Sequence, residues 1–324
     1  MSDSEIPTPM PTPTPTPTPA PAPATAPKQL DPASTSHVTD WIKEPFDERS
    51  FRTATAEHMA ALAQKHGLVD YTLLYLLDAQ DELSSWHSNR IYNAASAANR
   101  SKPILLVLFN LGGSIEAGYL ISKTCKRLAN NKFVVAVPRK AKSAATLLAL
   151  GADEIHMGLM SELGPIDPQF GGFPALGMKN ALEILSDLAC KHPGASKMLG
   201  EYLQSKLDLR VLGYFERIND SAVQYAERLL AGKTIPQQRT PRTLADHLVN
   251  HYKDHGFVVD FDEARDLLGD AVIKQETPEY AFSNEVYESF DFIRFMLKII
   301  LNKDVDLVGG GTAAVRVFDR KKDA

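Results

Sequence analysis

The chain is poor in cysteine and tryptophan, with two of each among 324 residues. Two cysteines, Cys125 and Cys190, cannot build a disulfide framework, and both fall in helical-looking segments, as suits a reduced interior. Positive charge is not in excess. The 35 Lys and Arg stand against 40 Asp and Glu, a formal charge of −5, which excludes the basic footprint of a nucleic-acid binder. No apolar run approaches the roughly 18–20 residues that span a bilayer. The opening residues have neither the basic nor the apolar region of a secretory signal. No His/Cys/Asp/Glu cluster has metal-ligand spacing, so neither a metal nor a cofactor is expected. These absences predict a soluble cytoplasmic protein without a transmembrane helix or a nucleic-acid partner.

Proline is abundant but concentrated. Residues 1 to about 35 are a Pro/Thr/Ala tract rich in Thr-Pro and Ala-Pro pairs. Proline at alternate positions fixes φ and removes backbone donors, which predicts a disordered, extended tail, either a spacer or a proline-motif ligand. Order is expected from near Asp40, with a main domain over 40–280 and a C-terminal helix and edge strand over 281–324. No internal repeat is visible outside the tail.

Apolar runs at 71–77, 104–109, 133–137 and 154–157 alternate with helical stretches at 54–65, 84–99, 114–130 and 143–151. Strands alternating with helices of this length predict an α/β fold with a largely parallel sheet. In the 114–130 helix, Ala117, Leu120, Ile121, Thr124 and Leu128 share a face that should pack on the sheet. Residues 179–230 read as two or three helices broken at His192-Pro193-Gly194, and 232–247 is polar and proline-containing. A helix at 262–268, a strand at 271–273 and a helix at 286–301 follow. Val286, Phe290, Ile293, Met296, Leu297 and Ile300 form an apolar stripe that reads as core or subunit interface. Arg294 and Lys298 beside it admit a peripheral membrane contact.

Two strand-to-helix turns carry the chemistry: Asn110-Leu111-Gly112-Gly113-Ser114 and Lys142-Ser143-Ala144-Ala145. Each puts free backbone N–H groups at a helix start, where an anion is favoured, and the second adds a hydroxyl. Gly113 offers an amide with no side chain in the way, and Ala144 offers a second one beside Ser143. Two donors converging on one hydroxyl are what an acyl-transfer site needs, each donor being worth roughly 3–4 kcal/mol. Glycines before a helix also serve phosphate binding or tight turns, and a serine there is a good N-cap. The ordered pairing strand–GG–helix–strand–Ser–helix is more specific than either turn alone.

The stretch SAATLLALGADEIHM from Ser143, followed by SELGPIDPQ from Ser161 to Gln169, resembles the ClpP/SppA superfamily of serine peptidases. Within it the chain is most similar to the SppA-like group called serine dehydrogenase proteinases. The resemblance covers residues 70 to 175 and continues more weakly to about 275, where His255-Gly256-Phe257 is similar to a later His-containing segment. It implies a ClpP/crotonase-like spiral of ββα units with additional C-terminal helices, self-association into an oligomer, and a polypeptide substrate. It also implies Ser143 as nucleophile and Gly113 and Ala144 as oxyanion donors. Gly112, Gly164, Pro165 and Asp167 would line the substrate site. The chain departs from the pattern in having Leu111 where proline is usual before the glycines, and Ala144-Ala145 after the serine.

The general base stays open on the sequence. The stretch where ClpP has its histidine holds Asp167 instead. Lys197 or Lys191 could correspond to the lysine of SppA, and His255 is the other candidate, since a neutral imidazole needs no large pKa shift. Lys142, next to the nucleophile, is expected to face solvent. His156 reads as a satisfied core histidine and Asp153 as a cap or ion-pair partner. The leading expectation is a serine-type endopeptidase. Its rivals are a non-catalytic assembly protein of the same fold and a crotonase-type acyl-CoA enzyme using Glu116.

Overall fold

The computed structural model describes residues 31, 34–43, 45–170, 173–206 and 209–319. Most of the Pro/Thr tract lies outside the described residues. Order begins slightly before Asp40, with α1 over Thr35–Ile42, whose first turn is capped by the Ser34 hydroxyl. Helix α2 spans Glu48–Lys65, starting ahead of the predicted 54–65 because Asp47 caps it from outside the apolar pattern.

The middle of the chain follows the predicted alternation. Strand β1 (Thr72–Leu77), α3 (Ser85–Ala97), β2 (Ile104–Phe109), α4 (Ile115–Leu128), β3 (Phe133–Val137), β4 (Lys140–Ala141), α5 (Ala144–Leu150) and β5 (Glu154–Met157) come in order. Short strands β6 (Glu162–Leu163), β7 (Gln169–Phe170) and β8 (Phe173–Pro174) lead into α6 (Ala175–Lys191), α7 (Ser196–Lys206) and α8 (Leu209–Leu230). A 3-10 turn at Pro193–Ala195 separates α6 from α7, where the His-Pro-Gly break was expected. Then follow α9 (Pro241–Asn250), α10 (Phe261–Leu268), β9 (Ile273–Lys274), α11 (Pro278–Leu301), β10 (Lys303–Gly309) and β11 (Val315–Asp319).

The main sheet has the order β11-β10-β1-β2-β3-β5-β9. Strands β1, β2, β3, β5 and β9 run parallel, and β10 and β11 add antiparallel at one side. The mixed α/β class with a mostly parallel sheet is therefore as expected. Strand side chains alternate between two cores, as the pleat requires. Leu74, Leu76, Leu106, Leu108 and Val135 face α3, α4, α5, α8 and α9. Tyr75, Leu77, Leu105, Val107 and Val134 face α2 and α11. Coverage on both faces explains why these strands read as continuous apolar runs.

Four features differ from or add to the sequence reading. The buried face of α4 is Ala117, Gly118, Ile121, Ser122 and Cys125, while Leu120 is 54% exposed. Close helix contact fixes this rotation, because a Cβ on Gly118 would stand 2.5 Å from the Ala144 carbonyl oxygen. Residues 241–250, whose first part lies in the polar, proline-containing stretch to which the sequence assigns no element, form α9, started by Pro241 at its first turn after the Thr240 cap. Helix α11 begins at Pro278 rather than 286, capped by Thr277. Strand β10 does not read as an apolar run because Asp304 and Asp306 are buried within it, bonded to Arg294 and Arg316. Apart from half-buried Met296 and Ile300, the α11 stripe is core. Among the described residues, no helix is long and apolar enough to cross a membrane.

Candidate active site

The turn after β2 is held by Asn110, which is wholly buried. Its Oδ1 accepts from the Gly112 amide at 2.9 Å, and its Nδ2 donates to the Asp78 carbonyl oxygen at 3.1 Å. Its backbone meets the second turn, accepting from the Lys142 amide at 3.1 Å and donating to the Lys140 carbonyl at 3.0 Å. One buried side chain and one short bridge thus lay the two turns side by side.

The contact between them is close. A Cβ on Gly112 would stand 2.7 Å from the Ser143 Cβ and 3.3 Å from its Oγ. Gly113 has φ +137 and pairs with Leu83 in a parallel bridge, where a Cβ would collide with backbone at 2.4 Å. Leu83 takes its bonds from the flanking residues, donating to the Gly112 carbonyl at 2.7 Å and accepting from the Ser114 amide at 2.8 Å. In such a ladder the Gly113 amide points away from Leu83. The motif therefore needs glycine twice, for two different neighbours.

Ser143 precedes α5 with φ +52 and ψ −117, a conformation that L-residues seldom adopt. Strain of this kind costs about 1–3 kcal/mol and persists only where surrounding structure imposes it. The hydroxyl makes no cap bond. Ala144, the first residue of α5, is fully buried behind Ser143, and a first-turn amide has no acceptor within its own helix.

A cavity of about 620 Å³ opens over Ser143, lined by Gly112, Gly113, Glu116, Pro168, Gln169, Tyr214 and His255 among others. His255 is one-third exposed, and its Nδ1 lies 2.7 Å from Oδ1 of Asp167, which is almost buried. The second Asp167 oxygen accepts from the Gln169 side-chain Nε2 at 2.6 Å. The hydrogen bond to Asp167 raises the His255 pKa above the ordinary imidazole range, against an opposing push from burial. A carboxylate at Nδ1 fixes the tautomer and leaves Nε2 to exchange protons.

The sequence candidates therefore separate. Gly112, Gly113, Ser143 and His255 share the cavity, with Ala144 directly behind. Asp167, expected to line the substrate site, has its carboxylate bound to His255 instead. Gly164 and Pro165 were also expected to line the site, yet neither does. Both are buried, and Gly164 donates its amide to the Thr146 hydroxyl at 2.9 Å. A lysine must be desolvated to act as a base near neutral pH, and Lys197 sits exposed on α7, outside the cavity lining. Lys142 does not face solvent: its side chain is only 12% exposed and pairs with Glu162 at 2.6 Å. His156 is a core histidine, held by Thr277 and Glu154. Asp153 accepts from the Phe133 amide and pairs with Lys126. No group of three or more potential metal ligands occurs among the described residues.

Residues 80–188 match the ClpP-like SDH-type serine proteinase family. The matched segment contains Gly112, Gly113, Ser143, Ala144 and Asp167, while His255 lies beyond it. Among curated proteins, the chain is similar to one uncharacterized protein of Methanocaldococcus jannaschii at 32% identity over 162 residues, covering 46% of this chain and 53% of that protein. A second from the same organism is 35% identical over 140 residues, covering 43% and 44%. The chain thus spans about half the length of the curated relatives it matches. Two structures of a 1510-N membrane-bound stomatin-specific protease resemble it at 14% identity, with TM-scores of 0.41 and 0.40. They cover 68% and 63% of this chain and 83% and 74% of their own, and the second holds a substrate peptide.

Proposed function

We propose that the protein is a serine-type endopeptidase with Ser143 as nucleophile, His255 as general base and Asp167 as its orienting carboxylate. The observation that carries the reading is the shared cavity, lined by a strained, uncapped serine and by a histidine already bound to a buried carboxylate. Ser143 Oγ attacks the peptide carbonyl carbon as its proton passes to His255 Nε2. Imidazolium charge is stabilised through Nδ1–H by Asp167. The developing oxyanion is received by the Gly113 and Ala144 amides.

Collapse of the adduct expels the amine, which takes the proton from His255, and leaves an ester on Ser143. Water then repeats the sequence, with His255 first accepting and finally returning a proton to Ser143 as the carboxylic acid departs. No cofactor is required. Leu111, Ile115, Tyr214 and Ile218 give the cavity an apolar wall suited to a peptide side chain. The scaffold reading rested on the lack of a nameable base, and the His255–Asp167 pair supports the enzymatic reading instead.

A fluorophosphonate probe tests this directly. Wild type should be labelled on Ser143, whereas Ser143→Ala and His255→Ala should not. Equal labelling of wild type and Ser143→Ala ends the proposal.

A further inference from the structure

Lys142 stands next to the nucleophile in sequence, yet its ammonium is spent elsewhere. Nζ donates to the Leu163 carbonyl oxygen at 3.1 Å and the Phe257 carbonyl oxygen at 3.1 Å, and pairs with Glu162 Oε2 at 2.6 Å. An ammonium has three protons and no lone pair, so these three acceptors saturate it. A saturated ammonium cannot serve as the base for Ser143. What it holds are three different segments. Lys142 itself begins the Ser143 turn, Leu163 opens the run to Asp167, and Phe257 lies two residues past His255.

From this geometry we propose that Lys142 is a positioning residue that sets His255 and Asp167 in register with Ser143. The inference rests on the serine-peptidase reading above. It also accounts for Gly164, whose place in the motif the cavity does not explain. A Cβ there would stand 2.8 Å from the Lys142 Cδ, so glycine leaves the channel through which the side chain reaches its acceptors. Thus Lys142-Ser143 and Glu162-Leu163-Gly164 form one unit. Strands β4 and β6 pair the two segments (Ala141 with Leu163), and Leu163 in turn pairs antiparallel with Val259 just beyond the His255 loop.

The positive charge has a second effect. Asp167 and Asp254 favour the protonated form of His255, whereas burial and Lys142 oppose it. Lys142 therefore keeps the imidazole available as a base at lower pH than its carboxylate neighbours alone would allow.

The test compares wild type with Lys142→Met, which keeps length but loses charge and donors, and with Gly164→Ala, which keeps the charge but crowds the stem. The readouts are the rate of fluorophosphonate labelling against pH, and thermal unfolding, with Ser143→Ala as control. Lys142→Met should label about 10- to 100-fold more slowly, the scale expected of a misplaced catalytic group, with the acid limb moved to higher pH. Gly164→Ala should slow labelling with a smaller movement of that limb. Labelling of both variants at the wild-type rate, with an unmoved limb, overturns the proposal. If Lys142→Met does not fold, Gly164→Ala alone decides by its rate. Labelling of Ser143→Ala like wild type would instead remove the underlying peptidase reading, so the two failures are distinct.

Discussion

Gly112 leaves Ser143 no room to share: a side-chain carbon on the glycine would lie 2.7 Å from the serine Cβ. The contact is to the Cβ and not to a flexible tip, so relief requires the turn to move. Gly112→Ala should retain the fold by circular dichroism and lose about a hundredfold in probe labelling, since displacements near 1 Å have that effect. Labelling within twofold of wild type would show that the turns tolerate separation.

Strain at Ser143 has a thermodynamic signature. Gly tolerates positive φ, though it adds unfolded-state entropy worth about 0.5–1 kcal/mol. Strain relief is about 1–3 kcal/mol. Ser143→Gly should therefore be more stable by about 1 kcal/mol in urea unfolding while labelling is lost. A destabilised variant would contradict the strain.

Because Asp167 raises the His255 pKa and a base must be deprotonated, labelling should increase with pH through a limb above the ordinary imidazole value. Asp167→Asn removes the main raising influence, so the limb moves to lower pH. The plateau rate falls by about a thousandfold or more, as the imidazolium loses its partner. A limb that stays in place would assign the titration to another group.

The rotation of α4 predicts an asymmetry between neighbours. Ile121 is 1% exposed and Leu120 is 54% exposed. Ile121→Ala should cost about 2–5 kcal/mol, and Leu120→Ala about 0.5 kcal/mol or less, measured by chemical denaturation. Comparable losses would restore the face drawn from periodicity.

Much of this was legible in the chain because the parallel strands are buried on both faces and write themselves as apolar runs. The two turns were legible for the same reason: each follows such a run and opens a helix. What escaped notice depends on distance in sequence. The Asp167–His255 bond joins residues 88 apart, and nothing local to Asp167 distinguishes a substrate contact from a partner for a remote imidazole. Lys142 misled in the opposite way, since an adjacent lysine looks solvated until Gly164 reveals a channel for its stem. Leu120 failed because close backbone approach at Gly118, invisible to a hydrophobicity pattern, turned the helix.

Strand β10 lies between β1 and β11, and Arg316 of β11 binds Asp306 of β10 and Asp81 in the cavity wall. The wall is thus braced at Asp81 by Arg316, more than 170 positions after Ser143 in the chain. On the proposed peptidase reading, a growing polypeptide therefore carries Ser143 and His255 before the paired β10 and β11 that brace this wall have been made.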